Sequence, residues 1–172
     1  MANEPARSKP VSLDLTIGYS FPQKSRLKPL NLPNTHRLGG LAVSVNVWKN
    51  LFRYDDTTKS FDLGASVGYL PFVQKKLTLY AFRLGVKHSM YFVKKSGFEQ
   101  AVMIGIANPL NRSPEPLKKA NFSVSGHFGY FLPTQGSLTV GARWNWNFIW
   151  LRSFEKQVVS TSVFDLGIRS AL

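Results

Sequence analysis

In the stretch VSLDLTIGYSF, residues 11–21, every odd position is apolar and every even one is Ser, Asp, Thr or Gly. Successive side chains on an extended chain point to opposite sides of the pleat, so this period of two is a β-strand with one apolar and one polar face. The pattern returns along the chain. Further strands are expected at about 41–54, 61–72, 77–93, 97–108, 121–132, 138–151 and 158–172, which makes eight. FDLGASVGY and LTVGARWNWNFIW alternate as cleanly as the first stretch. The second strand changes phase near Trp48, where a β-bulge is expected. No amphipathic helical period of comparable strength occurs. PNTHRLGG, DDTTKS, NPLNRSPEPLKK and PTQGS, which separate the strands, carry turn chemistry. A chain of one-sided strands must close on its apolar faces in water or turn them outward to lipid.

The 172 residues suit a single domain, with residues 1–10 expected as a flexible N-terminal segment. No window approaches the ~18 consecutive apolar residues of a spanning helix, which says nothing against a membrane barrel. There is no cysteine, so no disulfide and no thiolate metal site. MANEPARSKP lacks the apolar core of a signal peptide, so an exported form of this chain would be the mature one, with Met1 added to it.

The polar face decides which way the strands turn. Facing water, it would be rich in Lys and Glu. Here its mid-strand positions are mostly Gly, Ser, Thr, Ala and Asn, which fit the cramped interior of a small barrel. Eight isolated charges share that face: Asp14, Asp62, Glu99 and Asp165 with Arg83, Lys87, Arg143 and Arg169. Buried charge is tolerated only when paired and hydrogen-bonded, and four acids against four bases leave the interior neutral. Asp14 and Arg169 are expected to meet across the seam between the first and last strands, with Asp165 paired to Arg143 above them.

On the apolar face, aromatics gather toward strand ends: Tyr19 and Phe21, Phe52 and Tyr54, Tyr69 and Phe72, Tyr91 and Phe92, Tyr130 and Phe131, and Trp150. Aromatic girdles at membrane interfaces look like this. Leu15, Val67, Leu84 and Val140 are expected near mid-bilayer. In an up-and-down order the long segments 22–40 and 108–120 fall on one end, and the tight turns 55–60, 94–96 and 134–137 on the other. The short connections at 74–76 and 152–157 break this sorting.

The chain thus resembles the eight-stranded bacterial outer-membrane barrels of the OmpA and OmpX type, over residues 11–172 and as architecture. Its last strand, VFDLGIRSAL, is similar to their C-terminal assembly signal, with Phe164, Leu166, Ile168 and Leu172 on one face. It departs from that pattern at Ser170 and in ending on Leu172 where an aromatic is usual.

The formal charge of +13 calls for an anionic partner. Bases concentrate in connections and not along a strand face, which argues against nucleic acid. The long-loop end carries Lys24, Arg26, Lys28, Arg37, Arg112, Lys118 and Lys119, expected to meet lipopolysaccharide phosphates. Enzyme signals are thin. His36, His88 and His127 are not at metal-ligand spacing, and no nucleophile elbow or carboxylate dyad stands out. The expectation is a closed antiparallel barrel without cofactor or catalysis, in a bacterial outer membrane. Its partners would be membrane lipid, lipopolysaccharide and a surface or envelope protein, and its role that of anchor, surface-interaction or envelope-integrity protein. The alternatives are a small channel or carrier for ions or apolar solutes, a lipid A-modifying enzyme, and a soluble lipocalin-like barrel.

Overall fold

In a computed structural model the chain forms eight antiparallel strands, and the structure describes residues 11–22, 40–53, 59–71, 78–92, 96–110, 120–133, 138–150 and 158–171. The strands are β1 (Val11–Pro22), β2 (Gly40–Arg53), β3 (Lys59–Pro71), β4 (Thr78–Tyr91), β5 (Gly97–Pro109), β6 (Asn121–Pro133), β7 (Leu138–Trp150) and β8 (Val158–Ala171). Each pairs with its neighbours in sequence, and β1 pairs with β8, so the sheet closes into a barrel.

The pairing register fixes the barrel's shape. Stepping across the strands from Ser12 leads through Trp48, Gly64, Gly85, Met103, Ser125, Asn147 and Thr161. The path re-enters β1 at Pro22, ten residues beyond its start. This stagger forces the strands to tilt, as closure of any sheet does. Strands of 12–14 residues are about 40–46 Å long at ~3.3 Å per residue. Tilted by ~45°, they span roughly 30 Å, the thickness of a bilayer's hydrocarbon core.

Alternation sorts the side chains as expected for a barrel in lipid. Leu15, Val67, Leu84 and Val140 lie on the outer surface, 41–55% exposed, whereas Thr16, Ser66 and Asp14 are buried. Buried residues here can only be luminal, because no second layer covers the sheet.

Three placements differ from the sequence reading. Trp48 keeps the luminal phase of Ala42, Asn46 and Asn50, and the β2 bulge falls between Asn50 and Phe52, three residues beyond the expected site. The indole is welcomed inside because β3 offers Gly64 opposite it, where a Cβ would lie only 2.3 Å from the indole Cε3. Phe131, expected in the outer girdle, is buried, and Tyr91 meets it ring to ring at 5.7 Å. Both sit one residue out of phase with the girdle aromatics Phe92 and Tyr130, so they turn into the lower mouth. Leu70, Leu79, Ile149 and Val163 also turn inward, and with Ala42, Ala81 and Ala107 they form an apolar luminal layer toward the end that bears segments 22–40 and 111–119. The alternation predicts mostly Gly, Ser, Thr, Ala and Asn at the mid-strand luminal positions and gives no signal for this aliphatic layer.

Leu84 occupies the middle of β4 and is 55% exposed. Leu84→Arg should destabilise the barrel by about 2–4 kcal/mol, the usual midplane penalty for Arg facing lipid. Urea unfolding in lipid vesicles measures this, and a neutral effect would contradict the outward facing of the apolar side.

Candidate functional site: the luminal charge cluster

The lower lumen is organised around two carboxylates. Asp14 on β1 is fully buried and accepts from three elements: Trp48 Nε1 at 2.9 Å, Arg143 Nη2 at 2.9 Å, and Arg169 through Nε at 2.6 Å and Nη2 at 3.2 Å. Glu99 on β5 accepts from Arg143 Nε and from Arg169 Nη2. Each guanidinium therefore bridges the same two acids, and the four groups close a ring of charge-assisted bonds. Arg suits this role because its planar fork presents several donors at once. His127 Nε2 lies 3.4 Å from Glu99 Oε1. The Arg169 guanidinium rests over the Phe131 ring at 5.0 Å, and the Lys87 ammonium over the Trp48 indole at 4.7 Å. Such aromatic faces stabilise cations where water is excluded.

Lys87 pairs with Asp62 at 3.2 Å, and Asn50 Nδ2 donates to the second Asp62 oxygen at 2.7 Å. Both charges are buried, yet each has a partner, which is what a filled interior demands.

The expected pair Asp165–Arg143 is not formed. The two residues are direct partners in register on β7 and β8. Direct neighbours bring their Cβ atoms within about 5 Å, but the guanidinium lies far beyond its own Cβ and projects across the lumen to β1 and β5. The short Asp165 side chain is instead reached by Asn145 Nδ2, two residues along β7. Its other oxygen, Oδ1, has no hydrogen-bond partner among the described residues. Arg83 is similar: its Nε donates to Ser123 Oγ at 2.9 Å, while its buried Nη2 has no partner. Neither makes an ion pair among the described residues.

The sequence reading assigns no site role to two contributors, Trp48 and Asn145, and no partner to a third, Glu99. Glu99 is expected inside with no partner named, yet it accepts from both arginines of the ring. Trp48 marks only a phase change in the alternation, although its indole N–H is a donor that a buried Asp attracts. Asn145 reads in the sequence only as a small polar residue of the lumen. Their spacing in sequence carries no signal, because their partners lie on strands brought together by closure alone.

Among the described residues, no three His, Asp or Glu side chains are grouped to hold a metal ion. Lys24, Arg26, Lys28, Arg37, Arg112, Lys118 and Lys119, the basic rim expected to contact lipopolysaccharide, lie outside the described residues.

An apolar outer face, a closed sheet of bilayer-spanning length and a lumen filled with paired charge define an integral β-barrel of the bacterial outer-membrane type. Among solved structures, the chain is similar to the crystal structure of Neisserial surface protein A. That match covers 97% of this chain and 99% of the other, with a TM-score of 0.60 and 10% sequence identity. It is also matched to the Yersinia pestis outer membrane protein Ail in a phospholipid bilayer nanodisc, over 94% and 99% of the chains, with a TM-score of 0.47 and 11% identity. The first likeness is one of fold, an eight-stranded outer-membrane barrel. No family model matches the sequence, and no curated protein matches it.

Glu99→Ala would leave Arg143 and Arg169 sharing Asp14 as their one ion-paired acid among the described residues. Breaking a buried ion pair by removing one partner costs about 3–5 kcal/mol. Asp165→Ala removes no cation's counter-ion and should cost distinctly less, the reverse of what an Asp165–Arg143 pair would give. Paired unfolding curves in the same detergent decide between the two orders.

Proposed function

We propose that the protein is a non-catalytic outer-membrane barrel that serves as a membrane anchor and surface-interaction or envelope-integrity element, with a lumen plugged against flow. The observation that carries this reading is the ring of Asp14, Glu99, Arg143 and Arg169, which occupies the lower lumen with side chains no more than 12% exposed. Ions passing through would have to break at least one of these bonds. Eight strands leave an interior that side chains just fill.

Planar-bilayer recording tests the plug. The unmodified barrel should show no steady conductance, and a steady open level would make the lumen a pore and overturn this reading.

The seven rim bases support a second part of the reading, contact with lipopolysaccharide phosphates at the long-loop end. Replacing Lys24, Arg26 and Lys28 with Gln should weaken association with lipopolysaccharide and flatten its dependence on salt, because fewer screened contacts remain. Unchanged binding at low ionic strength would leave these residues merely solvated. A surface or envelope protein is the partner class such exposed loops would also serve.

A further inference from the structure

Between the charge ring and the apolar layer, luminal side chains line a cavity of about 40 Å³. That is room for about three water-sized groups. Arg143 lies at its edge with its guanidinium committed to Asp14 and Glu99. Two other charged residues line the cavity, each with one hydrogen-bonded side-chain neighbour and no ion pair among the described residues. Arg83 comes from β4 and Asp165 from β8, four strands apart in a closed sheet of eight and therefore on opposite walls. Both are at least nine-tenths buried, and each has one polar atom, Nη2 and Oδ1, without a partner among the described residues.

A buried charge without a counter-ion is costly, and these two are of opposite sign without being paired. A bound anion would satisfy Arg83 and be repelled by Asp165; a bound cation would do the reverse. A molecule carrying both signs satisfies the two walls at once. The wall beside the guanidinium is cut back to receive it: Gly68 also lines the cavity, and a Cβ there would stand 3.9 Å from Arg83 Nη1 and 3.6 Å from Ser44 Cβ.

We propose that this cavity binds one small zwitterion, an ammonium carboxylate of about glycine's size, with its carboxylate on Arg83 and its ammonium on Asp165. An ammonium, a methylene and a carboxylate together take up about the room of those water-sized groups, so the smallest such molecule matches the space. Arg recognises the carboxylate through its fork of N–H donors, and Asp165 Oδ1 accepts from the ammonium. This site is separate from the plug below it, so it stands or falls independently of the conductance result.

The test follows the backbone amide resonances of Ser66 and Gly68 in the folded full chain in detergent micelles, titrated with glycine. Glycine should shift them saturably, whereas acetate and methylammonium should bind at least ten-fold more weakly. Asp165→Asn should remove the preference for glycine over acetate. Gly68→Leu keeps both charged groups and fills the space, so it should abolish the shift of Ser66 while the spectrum stays dispersed and native. Absence of a saturable glycine shift in the unmodified protein would overturn the proposal. So would acetate binding as tightly as glycine, or glycine binding that survives Gly68→Leu.

Discussion

In hydrocarbon, a backbone N–H or C=O without a partner costs several kcal/mol, and no water is present to repair it. A sheet that crosses a bilayer therefore cannot have an edge. The pairing of β1 with β8 meets that constraint, eleven residue pairs deep from Ser12 with Ala171 to Pro22 with Thr161. Everything else follows from closure. The ten-residue stagger fixes tilt and bore, the bore fixes how much side-chain volume the lumen accepts, and the lumen's shelter from water fixes that its charges must find each other.

The filling of that bore changes character with height. Near the tight-turn end, charge dominates, supported by the Trp48 and Phe131 rings beneath the cations Lys87 and Arg169. Small polar residues and a cavity follow. Apolar side chains from β2, β3, β4, β5, β7 and β8 occupy the far end. Long side chains make the charged stratum possible, because Arg143 and Arg169 span the bore that Asp14 and Glu99 cannot. Glycines at the wall make room for bulk, as Gly64 does for the Trp48 indole and Gly129 for the Arg143 stem, whose Cγ lies 2.6 Å from where a Cβ would stand.

Strand number, alternation and facing were legible in the sequence because they are local properties with a period of two. The positions of Leu15, Thr16, Val67 and Leu84 could be assigned from their immediate neighbours alone. The β2 bulge was misplaced because Trp48 looks apolar to a pattern, whereas physically it is a ring with one strong donor. The same blindness hid Phe131 and the inward aliphatic layer, since a polar–apolar alternation cannot distinguish a lipid-facing residue from one that packs a lumen. Of the eight luminal charges, Asp14 and Arg169 could be joined through the seam, and the rest could be named but not correctly paired. Cross-strand register predicts who is adjacent at Cβ, and Arg143 reaches past its neighbour Asp165 to acids on two other strands.

The bonds of the charge ring connect residues 155, 129, 70 and 44 positions apart. Contacts of such separation form late, since each must first close a long loop of chain. Asp14 enters the barrel with β1, and its last partner belongs to β8. Until the final strand is laid down, Asp14 and Glu99 share a single arginine, and the half-built sheet holds a net negative charge within the ring. The ring thus reports completion of the barrel: an intermediate stalled at seven strands carries an electrostatic penalty that only its own C-terminal segment relieves. A foreign strand without that arginine, inserted at the open seam, would supply the backbone bonds but leave Asp14 and Glu99 short of a cation, so the lumen itself discriminates β8 from strands of other sequence.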